Sequence, residues 1–244
     1  MNVGAIIQAR TGSSRLPEKV MKDLDGKTVL AHVIERVRQS NRIDEIVIAT
    51  TVEPEDAVIE KEAIKMGVRA FRGSEADVLS RYYYAAKENN IDVVVRITSD
   101  CPLIDPQVID EIVSFYMANH YTIVSNGGSE LSNRTYPRGL DTEVFSFESL
   151  EQAFLEAKEL YQREHVTPYI YEKGKDQYYY KNKVDYSKYR WTLDTKEDWE
   201  LISEIYKHLY RGKHDFYLED IIELFDKMPE LYEINAHIEQ KKLK

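Results

Sequence analysis

The sequence predicts an α/β fold in which helices cover both faces of a mostly parallel central sheet. Short apolar segments alternate with amphipathic helical segments through the first half of the 244-residue chain, an arrangement typical of parallel βαβ units. The apolar segments are nearly continuous runs such as VVVRIT, as expected for strands buried on both faces. A chain of this length can also bury a substantial core without disulfides or metal ions.

Each element follows from its local pattern. VGAIIQA, at 3–9, is apolar and leads into a loop rich in Gly and Ser, so it is predicted to be the first strand. Asp105 before Pro106 has the residue types of a helix N-cap and first turn. The other elements predicted here are helices at 28–40, 54–67, 75–90 and about 106–119, and strands at 45–51, 67–73 and 91–100.

The pattern becomes less regular after Tyr121, although no linker separates a second domain, and we predict one domain over 1–244. Thr195 and Asp198 form a capping-box pattern that predicts a helix to about residue 209. The remaining predicted elements are strands at 121–126, 140–147 and 189–194, helical pieces at 149–160 and 163–174, and a last helix at 217–227.

The composition excludes several classes of function. A formal net charge of −10 argues against a nucleic-acid-binding surface, because such surfaces neutralise many phosphates with Lys and Arg. Cys101 is the only cysteine, which excludes an internal disulfide and a cysteine-based metal site. No apolar run approaches the roughly 20 residues of a membrane-spanning helix, and the chain opens directly into a strand rather than a signal peptide. We therefore expect a cytoplasmic protein with neither nucleic acid nor a membrane as a partner.

The loop after the first strand, ARTGSSRLPEK, is the first candidate binding site, because ligands of open α/β sheets lie beyond the carboxyl ends of the strands. Its small residues allow close backbone approach and its cations supply charge, which suits a polyphosphate. A solvated basic loop paired with surface acids is the alternative reading. Neither the P-loop nor the dinucleotide fingerprint is present. The candidate phosphate-binding residues are Ala9, Arg10, Gly12, Ser13, Ser14, Arg15 and Lys19.

Asp100 and Asp194 each end a predicted strand, so both are expected at the same edge of the sheet as this loop. Magnesium is often held by one or two carboxylates together with substrate phosphates. Taken singly, Asp100 is equally suited to capping local amides, and Asp194 to a favourable charge at a helix N-terminus. Their joint position beside the basic loop favours a Mg²⁺ site formed by both.

The motif A-R-x-G-S-x-R-L-P-x-K, here at 9–19, resembles the signature of the cytidylyltransferases that make CMP-activated acidic sugars. The chain as a whole is most similar to their SpsF-type branch, which acts in spore-coat polysaccharide biosynthesis. Glu18 departs from the motif, since the family usually has Gly at this position. Other matching stretches are RGSEADVLSRY at 72–82, RITSDCPLI at 96–104, PRGLDTEVF at 137–145, REHVTPY at 163–169 and WTLDT at 191–195.

This resemblance implies a Rossmann-like nucleotidyltransferase domain of GT-A-like type. It implies Mg²⁺-dependent transfer of CMP from CTP to an anionic sugar, a keto-acid sugar or a related acid, with release of pyrophosphate, in surface polysaccharide biosynthesis. It implies catalytic roles for Arg10, Arg15, Lys19 and Asp100, with Ser13 and the three cations holding the β- and γ-phosphates. The further nucleotide-binding candidates are Arg72, Ser74, Asp77, Thr98 and Ser99.

The acceptor is expected to lie opposite the triphosphate, against the less regular region at 121–185. By analogy with the family, this region is also the predicted contact of a homodimer. Arg138 suits an acceptor carboxylate or phosphate, and Asp141 and Glu143 lie two apart on a predicted strand and share a face. The acceptor-binding candidates are Arg138, Asp141, Glu143, Glu164 and His165.

Two other functions stay open at this stage. One is a glycosyltransferase of the same general fold, although its usual D-x-D metal motif does not occur here. The other is a non-catalytic nucleotide-binding protein of a polysaccharide pathway.

Overall fold

The computed structural model describes residues 1–127 and 133–239 and shows a mixed sheet between two layers of helices. The strands are β1 (Val3–Gln8), β2 (Asp23–Leu24), β3 (Lys27–Thr28), β4 (Glu45–Thr51), β5 (Arg69–Gly73), β6 (Val93–Thr98), β7 (Ile123–Ser125), β8 (Glu143–Ser146) and β9 (Gln177–Tyr179). Within the described ranges, seven strands form the main sheet in the order β5-β4-β1-β6-β8-β7-β9, and β2 and β3 form a separate hairpin.

The helices cover both faces of this sheet. They are α1 (Val29–Val37), α2 (Ala57–Lys65), α3 (Val78–Glu88), α4 (Pro106–Ala118), α5 (Phe147–Glu156), α6 (Leu160–His165), α7 (Pro168–Lys173), α8 (Lys196–Leu209), α9 (Leu218–Lys227) and α10 (Glu230–Glu233). Successive side chains of a strand point to opposite faces. Ile7 accordingly belongs to the core on the face covered by α1, α4, α8 and α9, whereas Ile6 belongs to the core on the face covered by α3 and α5. The predicted α/β class is therefore confirmed.

The parallel part of the sheet determines where the candidate site lies. Strands β5, β4, β1 and β6 run parallel, so their carboxyl ends, and the loop after β1, lie at one edge. Strand β8 runs antiparallel to β6 and therefore enters the sheet at that same edge. Among the described residues, no helix combines the length and the apolar character needed to span a bilayer.

Two helix starts agree with the sequence. The side chain of Asp105 accepts hydrogen bonds from the backbone amides of Gln107 at 2.8 Å and Val108 at 3.4 Å. Thr195 and Asp198 form the reciprocal capping box at the start of α8. Both caps satisfy amides that have no partner inside the helix.

The predicted strand at 189–194 was wrong. This segment makes a single β-bridge, between Arg138 and Arg190. The bridge consists of Arg138 N donating to Tyr189 O at 3.1 Å and Trp191 N donating to Arg138 O at 2.7 Å, whereas Leu193 N donates to a different neighbour, Asp100 O, at 2.8 Å. Since its partner changes after one rung, no ladder forms. The predicted helix at 163–174 is likewise divided, with Val166 at φ 71° between α6 and α7.

Candidate active site

The loop after β1 closes on the backbone of Thr11. Thr11 O accepts hydrogen bonds from Ser13 N at 2.8 Å and from Glu18 N at 3.1 Å. Glu18 itself adopts the left-handed conformation, with φ 53°. Ser13 Oγ accepts from Leu16 N at 3.4 Å, and Gly12 and Ser14 are exposed. The loop is therefore a compact turn that presents small residues toward solvent at the sheet edge.

Lys19 lies between the two aspartates that the sequence singles out. Its ammonium is 2.8 Å from Asp100 Oδ2 and 2.7 Å from Asp194 Oδ1, and only 12% of the side chain is exposed. Burial acts to lower the pKa of Lys19, but the two carboxylates outweigh it and raise that pKa. The expected proximity of Asp100 and Asp194 is thus observed, although Asp194 does not end a strand.

Asp100 lies two residues beyond β6 and remains ionised. Burial acts to raise its pKa, but Lys19 and hydrogen bonds from Thr98 and Cys101 lower the pKa to about 2. Thr98 Oγ1 donates to Asp100 Oδ1 at 2.7 Å, and Cys101 Sγ is 3.6 Å from the same oxygen. Asp100 Oδ2 therefore accepts from Lys19, while Asp100 Oδ1 accepts from Thr98 and Cys101, which are its neighbours in sequence.

Asp194 is held by two arginines as well as by Lys19. Asp194 Oδ2 lies 3.2 Å from Arg15 and 3.1 Å from Arg190. Arg190 also pairs with the buried Asp198 at 2.9 Å, and Asp198 accepts from Asp194 N at 2.9 Å. The start of α8 therefore fixes both the backbone and the carboxylate of Asp194.

This arrangement fits a divalent cation. Asp100 Oδ2 and Asp194 Oδ1 converge on one point, which the Lys19 ammonium occupies in the structure. Carboxylate oxygens are the ligands that Mg²⁺ and Mn²⁺ prefer. Because Lys19 and Arg15 already bind these carboxylates, a cation can enter only if the basic side chains move to another anion.

The remaining loop cation and the nucleotide candidates are less tightly gathered. Arg10 is exposed and forms a surface ion pair with Glu75 at 2.9 Å. Ala9 is buried and donates its amide to Ala49 O at 3.1 Å. Ser99 is buried and donates its amide to Gln8 O at 3.1 Å. Their nucleotide-binding roles stay predictions.

Arg72, Ser74 and Asp77 are engaged with the protein itself. Arg72 donates to Thr51 O and Glu53 O, both at 2.8 Å. Ser74 Oγ accepts from Asp77 N at 3.2 Å. The carboxylate of Asp77 caps α3 and receives two donors of the Arg163 guanidinium. These contacts support the wall around the predicted nucleotide site, and direct contact with a nucleotide stays a prediction.

The acceptor candidates fall into two groups. Glu143 is buried and pairs with Arg96 at 2.6 Å, and Asp141 pairs with Arg134 at 2.5 Å. Arg138 is half-buried, and its guanidinium makes no hydrogen bond or ion pair with the part of the chain that the structure describes. Burial and the neighbouring Arg134 lower the pKa of Arg138. Arg138 is therefore the member of the set best suited to an incoming anion.

Glu164 and His165 end α6. Glu164 is exposed and His165 is half-buried. The adjoining Val166 adopts a left-handed φ of 71°, and Thr167 N donates to His165 O at 2.8 Å across it. Their contact with an acceptor stays a prediction.

Gly139 allows two segments of the site to touch. Its φ is 101°, and a Cβ at this position would lie 2.5 Å from the carbonyl of Trp191. The backbone of the adjoining Arg138 is thereby packed against the segment that leads to Asp194, with hydrogen bonds to Tyr189 O and from Trp191 N.

Several residues of the site are missing from the sequence-based set. Arg190 and Asp198 hold Asp194, Arg96 holds Glu143, and Asp56 binds Thr11 through both its amide and its hydroxyl at 2.7 Å. Arg96 and Asp56 act on residues 47 and 45 positions away, so no local spacing pattern marks them, whereas Arg190 and Asp198 each lie four residues from Asp194. The capping-box pattern drew attention to Asp198, but only as a helix cap.

Comparison with known proteins identifies the family. A family model described as cytidylyltransferase matches residues 4–243. The chain belongs to the cytidylyltransferase family. Among curated relatives, the chain is 32% identical to the spore coat polysaccharide biosynthesis protein SpsF of Bacillus subtilis. The match covers 92% of this chain and 94% of that protein. The family resemblance of the sequence motifs is thus confirmed.

Solved structures agree in fold. This chain superposes on a cytidylyltransferase from Leptospira borgpetersenii with a TM-score of 0.89 and 37% identity, and 99% of each chain is covered. A CMP:2-keto-3-deoxy-manno-octonic acid synthetase complexed with CTP gives a TM-score of 0.64 at 17% identity, covering 85% of this chain and 99% of that one. The nucleotidyltransferase fold expected from the sequence is confirmed.

Proposed function

We propose that this protein transfers CMP from CTP to an anionic sugar and releases pyrophosphate, with a divalent cation, Mg²⁺, bound by Asp100 and Asp194. One observation carries the proposal. In a chain of the cytidylyltransferase family, two carboxylates converge on one point beside a basic loop, with Lys19 at 2.8 and 2.7 Å. A triphosphate would pair with Lys19 and Arg15, and a cation would pair with the two carboxylates that these residues release.

The chain's own residues supply electrostatic stabilisation rather than a nucleophile. When CTP binds, Lys19 and Arg15 exchange their carboxylate partners for phosphate oxygens and stabilise the negative charge of the departing pyrophosphate. Asp100 and Asp194 would then hold the cation, which would supply Lewis-acid stabilisation of the phosphate oxygens. Arg10 exchanges the exposed carboxylate of Glu75 for a phosphate in the same way.

The acceptor side is supported by Arg138. A half-buried guanidinium without a partner in the described ranges favours binding of a carboxylate or phosphate. A keto-acid sugar presents such a carboxylate beside its reacting hydroxyl. The CMP:2-keto-3-deoxy-manno-octonic acid synthetase of the same fold is named for such an acid. We therefore propose a keto-acid sugar as the acceptor, bound with its carboxylate at Arg138.

The test is pyrophosphate release from CTP and MgCl₂ with a panel of keto-acid sugars, sugar phosphates and phosphonates. We expect release with the keto-acid sugars. Asp100→Asn should lower kcat by at least about 100-fold, since the cation contributes several kcal/mol to the transition state. Asp92→Asn alters an exposed acid immediately before β6, at the opposite end of the strand that precedes Asp100, and is the matched control, which should retain activity. Absence of release with every acceptor, together with absence of CTP binding by calorimetry, would refute the proposal.

A further inference from the structure

We propose that Asp56 is a positioning residue that fixes the phosphate loop for the triphosphate, an inference that rests on the proposed function. Asp56 lies at the start of α2 and is 2% exposed. Its Oδ1 accepts from both Thr11 N and Thr11 Oγ1 at 2.7 Å. These two bonds cross 45 residues of sequence and fix the backbone and the side chain of one residue of the loop.

The second oxygen of Asp56 connects the loop to the sheet. Thr51 Oγ1 donates to Asp56 Oδ2 and accepts from Glu53 N at 3.1 Å. Arg72 in turn donates to Thr51 O and Glu53 O, both at 2.8 Å. The loop after β1 is thus attached, through one carboxylate, to the end of β4 and to a guanidinium of β5.

Thr11 is the residue at which such a restraint affects the whole loop. Its carbonyl accepts from Ser13 N at 2.8 Å and from Glu18 N at 3.1 Å, so it fixes both the first turn of the loop and its last residue. A displacement of Thr11 therefore displaces the donors between them, including Arg15. Donors must lie in place before the ligand arrives if they are to stabilise developing charge efficiently.

The chemistry of the three contacts requires a carboxylate. Thr11 N, Thr11 Oγ1 and Thr51 Oγ1 all donate, and an ionised carboxylate only accepts. An amide in its place presents an NH₂ group to at least one of these donors. Among the described residues, Asp56 has no ion-pair partner within 4.0 Å, so these hydrogen bonds are what compensates its burial.

The experiment compares Asp56→Asn with the matched control Glu55→Gln, which alters an exposed acid one position away. Calorimetry measures the Kd of CTP and of CMP, which lacks the β- and γ-phosphates, and thermal unfolding without ligand monitors the fold. We expect the Kd of CTP to rise about 10-fold in Asp56→Asn, as for loss of a hydrogen bond to a charged group, with the Kd of CMP changed less than about 2-fold. Glu55→Gln should change neither.

Equal weakening of CTP and CMP, or no change in either, would overturn the positioning role. Thr11→Val, which removes one of the three donors but keeps the amide, carries the same test if Asp56→Asn does not fold, with a smaller selective loss of CTP affinity expected. Failure of the wild-type protein to bind CTP would instead refute the proposed function, so the two failures are distinguishable.

Discussion

At position 18, backbone geometry constrains the choice of residue more than ligand chemistry does. An acid in a candidate phosphate-binding loop is unexpected, and the resemblance of the motif implies Gly at this position. The structure gives Glu18 a left-handed φ of 53° and an exposed side chain. Glycine adopts this conformation without steric cost. A Gly at this position would therefore suit the backbone, and Glu18 forms the same turn at some cost in strain.

We predict that Glu18→Gly increases the free energy of unfolding by up to about 1.5 kcal/mol. Relief of the left-handed conformation is worth about 1–2 kcal/mol, and the greater freedom of Gly in the unfolded chain offsets about 0.5–1 kcal/mol of it. Urea denaturation measures the change. Glu18→Ala removes the charge but keeps Cβ, so it should be less stable than Glu18→Gly, and equal stability of the two would contradict this explanation.

At the residue scale, the sequence predicted the charged groups better than their contacts. Lys19, Asp100 and Asp194 do meet. The segments after the parallel strands β1 and β6 share an edge, and Leu193 N, which donates to Asp100 O at 2.8 Å, brings the non-strand segment before Asp194 to that edge. Asp56 was not predicted as a site residue, because its significance lies in two bonds to a residue 45 positions earlier. Such a contact depends on register and helix placement, which local patterns do not specify.

At the scale of elements, the sequence predicted the long periodic segments well, but it did not predict that the segment at 189–194 forms only one β-bridge. β6 and α4 appear where the apolar patterns indicate. YRWTLD has strand-like composition but changes neighbours after Trp191, from Arg138 to Asp100. Composition expresses a preference for extended backbone, whereas a ladder also needs a continuous partner. This interruption is what brings Asp194 beside Asp100.

The contact between α1 and the α8–α9 loop contains two buried histidines. His32 Nδ1 and His214 Nε2 are 3.1 Å apart. Burial lowers the pKa of both, and Arg36, His32 and Lys27 contribute to a pKa of about 3 for His214, even though Glu35 Oε2 lies 3.1 Å from its Nε2. Both rings are therefore neutral in the folded protein at neutral pH.

We predict that stability falls as the pH is lowered from about 6.5 toward 3. In this window the unfolded chain binds protons at His214 and His32 that the folded protein excludes, so acid favours unfolding, whereas above about pH 6.5 neither state is protonated. His214 alone should account for about 2 kcal/mol between pH 7.5 and pH 5. Urea unfolding at the two pH values measures this, and His214→Asn should reduce the difference. An unchanged difference in that variant would contradict the assignment.

At the scale of the whole molecule, the candidate site depends on the complete fold. Lys19 and Asp194 are 175 residues apart in sequence and 2.7 Å apart in space. The parallel strands bring the loop after β1 and the end of β6 to one edge, and α8 adds the third segment. A ligand that binds all three segments therefore has affinity for the folded state alone, and its binding must raise the stability of the whole chain.

We predict that CTP and MgCl₂ together raise the melting temperature by roughly 5–10 °C at a CTP concentration 100 times its Kd. Such saturation contributes about 2.7 kcal/mol, and each kcal/mol is worth about 2–4 °C in a chain of this size. CTP with EDTA should give a smaller shift, because Lys19 and Arg15 then remain shared between phosphates and carboxylates. Differential scanning fluorimetry measures both. In the double variant Asp100→Asn, Asp194→Asn, the difference between the melting-temperature shifts with MgCl₂ and with EDTA should disappear. Equal melting-temperature shifts under the two conditions in the wild-type protein would show that no cation joins CTP at these carboxylates.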